Sequence, residues 1–329
     1  MPTLAEAYDV ALLDLDGVIY IGSAAVPHAA EALEACRAHG LRLAFVTNNA
    51  ARPPSTVAEH LTSLGVAARP DEVVTSAQAA ARVLAALLPG GAPVLVVGGD
   101  GLAAALLEQG MRPVWSADDD PAAVVQGFSP DVGWQQLAEG AYALRAGIPW
   151  VASNTDTTIP TPRGHAPGNG TLVDVLRTVS GRTPVVAGKP EPPMHRESIL
   201  RTGANRPLVV GDRLDTDIEG ANRAGVDSLL VLTGVTDPEA LVRAPAERRP
   251  TYAAEDLRAL LAAPADAAVT AGRRDLPSWS AAVENGRVVM TQMGNHPHRF
   301  DALRAVCGAV WAAADLPAGI NEALDKADW

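Results

Sequence analysis

The sequence predicts an α/β protein with a mostly parallel sheet, and three observations lead there. Apolar, β-branched runs alternate along the chain with Ala- and Leu-rich stretches of helical spacing. A length of 329 residues suits two domains better than one, so a body with an inserted or appended unit is expected. The apolar fraction of 48% is ample for sizeable cores, yet the apolar runs break off far short of a membrane span.

In chain order, strands are expected at 10–14, 42–46 and 72–75, with helices at 29–39 and 56–64, forming a compact βα body. A second series follows, with strands at 94–98, 112–115, 124–127 and 150–153 and helices at 102–109 and 134–146, long enough to be a domain of its own. Strands at 184–187, 208–210 and 228–232 then resume the style of the first series and end near 252–260. The tract 262–274 is Ala-rich with little periodicity and reads as a linker or loose helix. Beyond it, strands at 279–284 and 287–292 flank Asn285-Gly286, a two-residue hairpin signal, and an amphipathic helix follows near 300–314. The expected division is a body at 1–77 and 184–262, an inserted domain at 78–183 and a hairpin-helix extension at 275–329.

Composition narrows the function. The net charge of −12, with no basic run, argues against nucleic acid or an anionic membrane as partner. The N-terminus MPTLAEAYDV has neither a basic flank nor a signal-like apolar core, which reads against export. Cys36 and Cys307, the two cysteines, form no CxxC pair and fit a reducing cytoplasm as packing residues. Lysine occurs twice, at Lys189 and Lys326, in a chain whose other basic residues are Arg.

The residues that suggest chemistry fall at expected strand ends. The run Val10-Ala11-Leu12-Leu13 leads into Asp14-Leu15-Asp16-Gly17, which puts two carboxylates at the carboxyl edge of a strand, where open α/β sheets bind ligands. Alternation sends Leu15 away from Asp14 and Asp16, and Gly17 lets the chain leave sharply. The second strand ends in Thr47-Asn48-Asn49, whose hydroxyl and backbone N–H groups suit a phosphoryl oxygen. A later strand delivers Gly188-Lys189-Pro190, and another delivers Gly211-Asp212-Arg213-Leu214-Asp215-Thr216-Asp217. Taken singly, these are a solvated turn, a helix cap, a surface lysine and loop aspartates. Four strand ends carrying Asp/Asp, Thr, Lys and Asp/Asp in that order read as one site.

Together DLDGV, the Thr of VTNN, the Lys of GKP and GDRLDTD resemble the haloacid dehalogenase (HAD) superfamily of phosphotransferases, over most of residues 8–260. The resemblance implies a Rossmann-like HAD core with a parallel sheet. The long insertion between Thr47 and Lys189 is similar to the C2-type α/β cap of the nitrophenylphosphatase-like branch, which includes glycerol-phosphate, phosphoglycolate, pyridoxal-phosphate and nucleotide phosphatases. It also implies a phosphoaspartate mechanism. Asp14 would be the nucleophile and Asp16 the acid that protonates the leaving oxygen and then the base that activates water. Asp14, Asp212 and the Asp16 carbonyl would hold Mg²⁺. Thr47, Asn48 and Lys189 would bind the phosphoryl oxygens, a compact ammonium fitting where a planar guanidinium would not. Asp217 would support them from behind, orienting Lys189 or a metal-bound water, and Asp215 would cap the following helix. In the cap, Asn154, Asp156, Arg163, His165 and Asn169 are candidate substrate contacts.

The expected activity is therefore Mg²⁺-dependent hydrolysis of small-metabolite phosphate monoesters, glycerol 3-phosphate or a similar polyol or sugar phosphate being favoured by the branch. The same branch implies a homodimer through the cap. Phosphate transfer to an acceptor alcohol and a non-catalytic phosphate sensor are the competing readings, and a sensor has no need of a nucleophile and an acid. Other features carry less. Val96-Val97-Gly98-Gly99-Asp100-Gly101 lacks the third glycine of a dinucleotide fingerprint and reads as a tight βα turn. His296 and His298 have no accompanying ligands and read as a solvated turn. Trp279, Trp311 and Trp329 read as packing anchors, and the extension as a segment that docks on the body or mediates association.

Overall fold

The computed structural model describes residues 2–161 and 163–329. The chain forms two compact units, Met1–Leu43 with Ala204–Trp329 and Ala44–Gly203.

In the first unit, Tyr252–Ala254, Asp227–Val231, Pro207–Gly211 and Val10–Leu13 lie side by side, all parallel. Val10 stands opposite Pro207 and Leu13 opposite Val210, so the two strands finish level with each other. Val10–Leu13 is buried throughout, as a strand covered on both faces must be. Asp14 N–H donates to the Val210 carbonyl at 2.8 Å, which carries the ladder one residue past the strand. Arg42–Thr47 begins in this unit, where Arg42 N–H donates to the Asp9 carbonyl.

The tract 262–274 is not the loose linker that its composition suggests. Val269 is buried and donates to the Thr251 carbonyl at 3.0 Å, and Gly272 donates to the Gly308 carbonyl at 2.8 Å. A Cβ at Gly308 would stand 2.0 Å from the Arg273 carbonyl oxygen, so this stretch runs against a helix at a point only glycine permits. Ala-rich sequence hides such docking because its contacts are made by backbone and not by large side chains.

The expected hairpin forms between Trp279–Glu284 and Arg287–Gln292, with Asn285 and Gly286 both at positive φ, the backbone that a two-residue turn between twisted strands requires. Helix Arg299–Trp311 follows and is buried from Phe300 to its end. A hairpin with helices Arg299–Trp311 and Ile320–Asp325 is too small to enclose a core alone. Accordingly Trp279, Phe300, Leu303, Val306, Trp311, Ile320 and Leu324 share one apolar cluster with Ile218, Leu230, Leu241, Val242 and Ala253 of the body. Trp311 also donates through Nε1 to the Val242 carbonyl at 3.0 Å and lies under the Arg249 guanidinium. Trp329 meets Phe300 edge to face at 4.9 Å. The tryptophans are anchors.

In the second unit, Phe45, Val46 and Thr47 pair in parallel with Val73, Val74 and Thr75. A separate five-stranded parallel sheet runs in the order Val185–Val186, Trp150–Ala152, Ala123–Gln126, Pro93–Val97, Arg112–Val114. The strand at 184–187, which the sequence assigns to the resumption of the first series, is therefore an edge of this second sheet. A short apolar run specifies a strand but not its neighbour. Helices Trp134–Leu144 and Asn169–Ser180 supply Ala141, Leu144, Val173 and Leu176 to a cluster with Leu95, Val97, Val124 and Trp150. Between Asn154 and Gly170 an antiparallel hairpin pairs Thr158–Thr161 with Gly164–Pro167. Among the described residues no helix is long and apolar enough to cross a membrane.

Replacing Trp311 with Ala removes an anchor, a hydrogen bond and a cation–π contact at once, and is expected to cost about 3–5 kcal/mol of unfolding free energy. Urea denaturation of the full chain measures it; a change below about 1 kcal/mol would mean that the extension is not part of the folded body's core.

Candidate active site

The two units each hold one cluster of the residues singled out above. In the first, the strand Val10–Leu13 ends at Asp14, which is half-buried; Leu15 is buried and Asp16 exposed, so the chain alternates past the strand's end as expected. Gly17 then turns at φ +80°, its N–H donating to the Tyr20 carbonyl at 2.8 Å. Asp212 follows the parallel strand Pro207–Gly211 and is 1% exposed. One of its oxygens, Oδ2, accepts the Val235 N–H at 2.7 Å.

Two glycines make room for that carboxylate. A Cβ at Gly17 would stand 2.4 Å from Asp212 Oδ2, and one at Gly234 would stand 1.9 Å from it. The loop after Asp227–Val231 is fastened in place because Thr233 Oγ1 donates to the Gly17 carbonyl at 2.5 Å. Thr233, Gly234 and Val235 went unassigned from sequence. Their signal is weak, a Thr-Gly pair after one more strand, and only the fold brings it to Asp212.

Asp217 returns to the same place through a wide helical turn, Leu214–Ile218, in which Ile218 N–H donates five residues back to the Arg213 carbonyl at 3.2 Å. Its carboxylate, 1% exposed, accepts the Arg213 N–H at 3.2 Å, and a Cβ at Gly211 would stand 2.2 Å from its own Cβ. Asp215 points the other way and pairs with the Arg213 side chain at 2.9 and 3.1 Å, without the helix-capping role expected of it. Carboxylate oxygens of Asp14, Asp212 and Asp217 all lie within 4.8 Å of one another. Three like charges so close are held together by a cation or by protons. The donors are all hard carboxylate oxygens that converge on one point, so the set fits a cation such as Mg²⁺.

In the second unit, Thr47 ends its strand 5% exposed, its Oγ1 accepting the Asn49 N–H at 3.1 Å. Lys189 is 4% exposed and its Nζ donates to the Val46 carbonyl at 3.4 Å, one residue from Thr47. Asn48 joins the two segments, its Oδ1 accepting the Lys189 N–H at 2.8 Å. Asn154, Asp156 and Asn169 gather around it: Asn154 Nδ2 donates to the Asn48 carbonyl at 2.7 Å, Asp156 Oδ2 accepts from Asn48 Nδ2 at 3.3 Å, and Asn169 Nδ2 donates to the Asn154 carbonyl at 2.7 Å. Arg163 and His165 lie apart from this cluster, exposed on the hairpin. The glycines of Gly98-Gly99-Asp100-Gly101 serve packing: a Cβ at Gly101 would stand 2.3 Å from the Ala50 carbonyl oxygen in the loop after Thr47.

His195, unassigned from sequence, sits in the helix that follows Lys189, fully buried, and neither ring nitrogen has a hydrogen-bond partner among the described residues. Burial above all, and then the Lys189 charge, push its pKa down to about 3. The ring is neutral and adds no positive charge beside the ammonium.

Comparison with known proteins gives three family matches. A haloacid dehalogenase-like hydrolase model matches residues 11–112, a HAD-hydrolase-like model matches 186–260, and a GCN5-related N-acetyltransferase-like domain model matches 276–328. The chain is 46% identical over 324 residues to a D-glycerol 3-phosphate phosphatase of Mycobacterium tuberculosis, spanning 96% of this chain and 90% of that one. It superposes on the crystal structure of a glycerol phosphate phosphatase from Mycobacterium tuberculosis in complex with magnesium, with a TM-score of 0.91 and 45% identity, over 99% of this chain and 98% of that one. A p-nitrophenyl phosphatase from Archaeoglobus fulgidus matches with a TM-score of 0.71 and 29% identity, over 79% of this chain and 99% of that one.

Two measurements test this geometry. Gly234→Ala drives a methyl into Asp212, and isothermal titration with Mg²⁺ is expected to show affinity at least about tenfold weaker than wild type; unchanged affinity would remove Asp212 from the cation site. His195 is neutral in the fold at any pH above about 3. Below about pH 6.5 the unfolded chain takes up a proton that the folded chain refuses, so stability is full above pH 6.5 and falls on acidification by up to about 1.4 kcal/mol per pH unit. Urea unfolding at pH 7 and pH 5 is therefore expected to show a loss about 2 kcal/mol larger in wild type than in His195→Leu. Equal losses would mean that His195 is protonated in the fold.

Proposed function

Because the chain belongs to the haloacid dehalogenase-like hydrolases and is a phosphatase, we propose that its substrate is glycerol 3-phosphate or a closely similar polyol phosphate, hydrolysed through a phosphoaspartate on Asp14. The observation that carries the substrate is the near full-length match, C-terminal extension included, to a D-glycerol 3-phosphate phosphatase. The carboxylate cluster supports the chemistry.

In this reading Asp14 attacks phosphorus in line, the P–O bond to the alcohol breaks, and Asp16 gives its proton to the leaving oxygen. Asp16, now a carboxylate, takes a proton from water as that water attacks the phosphoaspartate, and phosphate leaves Asp14 free. Its exposure suits a group that must meet first the leaving alcohol and then water. Asp14, Asp212 and the Asp16 carbonyl hold Mg²⁺, with Asp217 supporting them, and its charge offsets the repulsion between an anionic nucleophile and an anionic phosphate. Thr47, the backbone of Asn48, and Lys189 bind the phosphoryl oxygens. Segments 1–77 and 184–262, the edge strand Val185–Val186 excepted, make up the catalytic body. The inserted 78–183 selects the leaving group through residues of 154–170, with Asn154, Asp156 and Asn169 at the base and Arg163 and His165 on the hairpin. We assign 275–329 a structural role, since its apolar side chains pack into the body's core. The net charge of −12 and two buried free thiols support a cytoplasmic enzyme acting on free metabolites, with no nucleic-acid or membrane partner. Homodimer formation is proposed on the branch resemblance.

Phosphate release from glycerol 3-phosphate, sugar phosphates and 5′-nucleotides, with and without Mg²⁺, tests the proposal in wild type and Asp14→Asn. Turnover is expected only with the metal, highest in kcat/KM for glycerol 3-phosphate, and at least about a thousandfold lower in Asp14→Asn. Preference for nucleotides would overturn the substrate; equal release by the two proteins would overturn the nucleophile.

A further inference from the structure

The Asn48 side chain grips the backbone of Lys189 at two points. Its Oδ1 accepts the Lys189 N–H at 2.8 Å and its Nδ2 donates to the Lys189 carbonyl at 3.1 Å, a two-point grip on the residue that carries the ammonium. The remaining amide hydrogen goes to Asp156 Oδ2 at 3.3 Å. The Asn48 carbonyl is equally occupied, accepting Ser76 Oγ at 2.5 Å and Asn154 Nδ2 at 2.7 Å. Both donors of the carboxamide and both lone pairs of the carbonyl are thus engaged, which leaves Asn48 no rotational freedom.

A separate observation shows how close the Lys189 loop comes. A Cβ at Gly188 would stand 2.7 Å from Asn48 Oδ1 and 2.4 Å from the Ser153 carbonyl oxygen, so the loop rests directly on Asn48 and on the segment that leads to Asn154. Asp156 is itself fixed by that segment, its N–H donating to Asn154 Oδ1 at 3.1 Å. The hydrogen bonds run in one line, from Asn154 and Asp156 of the inserted segment, through Asn48, to both backbone groups of Lys189.

We propose that Asn48 is a positioning residue for Lys189 and that Asp156 acts through it, so that the inserted segment 154–156 sets where the ammonium stands. The proposal rests on the phosphate-binding role assigned above to Lys189. An ammonium is a point charge whose grip on a phosphoryl oxygen depends on distance, and a misplacement of about 1 Å can cost about a hundredfold in rate. The carboxylate of Asp156 determines which end of the carboxamide faces Lys189 N–H: only the amide end can approach a carboxylate, so Oδ1 is turned to the backbone donor.

The test uses the full chain with Mg²⁺ and glycerol 3-phosphate, and compares wild type, Asn48→Asp, Asp156→Asn, the double variant and Lys189→Met. The readouts are kcat, KM, the inhibition constant of inorganic phosphate, and Tm. Asn48→Asp keeps the acceptor for Lys189 N–H but turns a carboxylate oxygen toward the Lys189 carbonyl and the Asp156 carboxylate. It is expected to lower kcat/KM by about ten- to a hundredfold and to weaken phosphate inhibition in parallel. Asp156→Asn is expected to lose about threefold, since its amide still offers an oxygen. In the double variant the amide and the carboxylate have exchanged places: the new amide at position 156 donates to the new carboxylate at position 48. Its kcat/KM is expected to exceed the product of the two single effects by at least about fivefold.

Additive effects in the double variant, or an Asn48→Asp protein that loses Tm while its phosphate inhibition is unchanged, would overturn the proposal. If Lys189→Met itself leaves turnover and phosphate inhibition intact, the assignment of Lys189 falls and this inference with it. If Lys189→Met is impaired while Asn48→Asp is not, only the inference falls.

Discussion

The convergence of Asp14, Asp212 and Asp217 is the constraint from which the first unit's local structure follows. Carboxylate oxygens within 4.8 Å of one another repel, and two of the three residues are almost completely removed from water. The fold accommodates them by ending two adjacent parallel strands level, so that Asp14 and Asp212 emerge together, and by bringing Asp217 back through a widened helical turn. Three glycines answer to the same crowding. Side chains at Gly17, Gly211 or Gly234 would strike Asp212 or Asp217 before reaching ordinary contact distance. A site that concentrates negative charge in this way is stable when a cation completes it, and that requirement joins its architecture to its chemistry.

The second unit solves the opposite problem, that of keeping a buried ammonium in place. Lys189 is nearly inaccessible, and a flexible four-carbon side chain is a poor point of reference unless its backbone is fixed. Asn48 fixes it by engaging both the N–H and the carbonyl, and glycine at 188 lets the loop settle close enough for that grip. His195 stays neutral beside it, since a second positive charge in the same buried region would raise the cost of both. These features place the inserted segment 154–156 and Lys189 in one hydrogen-bonded network.

The C-terminal extension shows how a segment too small for its own core becomes part of another. Its tryptophans and the buried helix Arg299–Trp311 complete an apolar cluster begun by Leu230, Leu241, Val242 and Ala253. Residues 276–328 match a GCN5-related N-acetyltransferase-like domain model. Their side chains are used here for packing.

Much of this was legible in the sequence. Continuous apolar runs specified most strands to within a residue or two, because burying such a run in a parallel sheet is their most favourable outcome; Asn285-Gly286 specified its hairpin, because few dipeptides tolerate two successive positive φ angles. Asp14, Asp212 and Lys189 were visible because each closely follows a strand, so that local order along the chain sets their position. Pairing between distant segments was not visible. The sheet to which Val185–Val186 belongs, the docking of 262–274, the closure of Gly234 over Asp212 and the burial of a neutral His195 all depend on what lies across the fold. Sequence determined which elements form and which charges end them, since those follow from local periodicity and turn chemistry; tertiary structure alone decided which charges meet, since close approach is set by backbone packed far away along the chain.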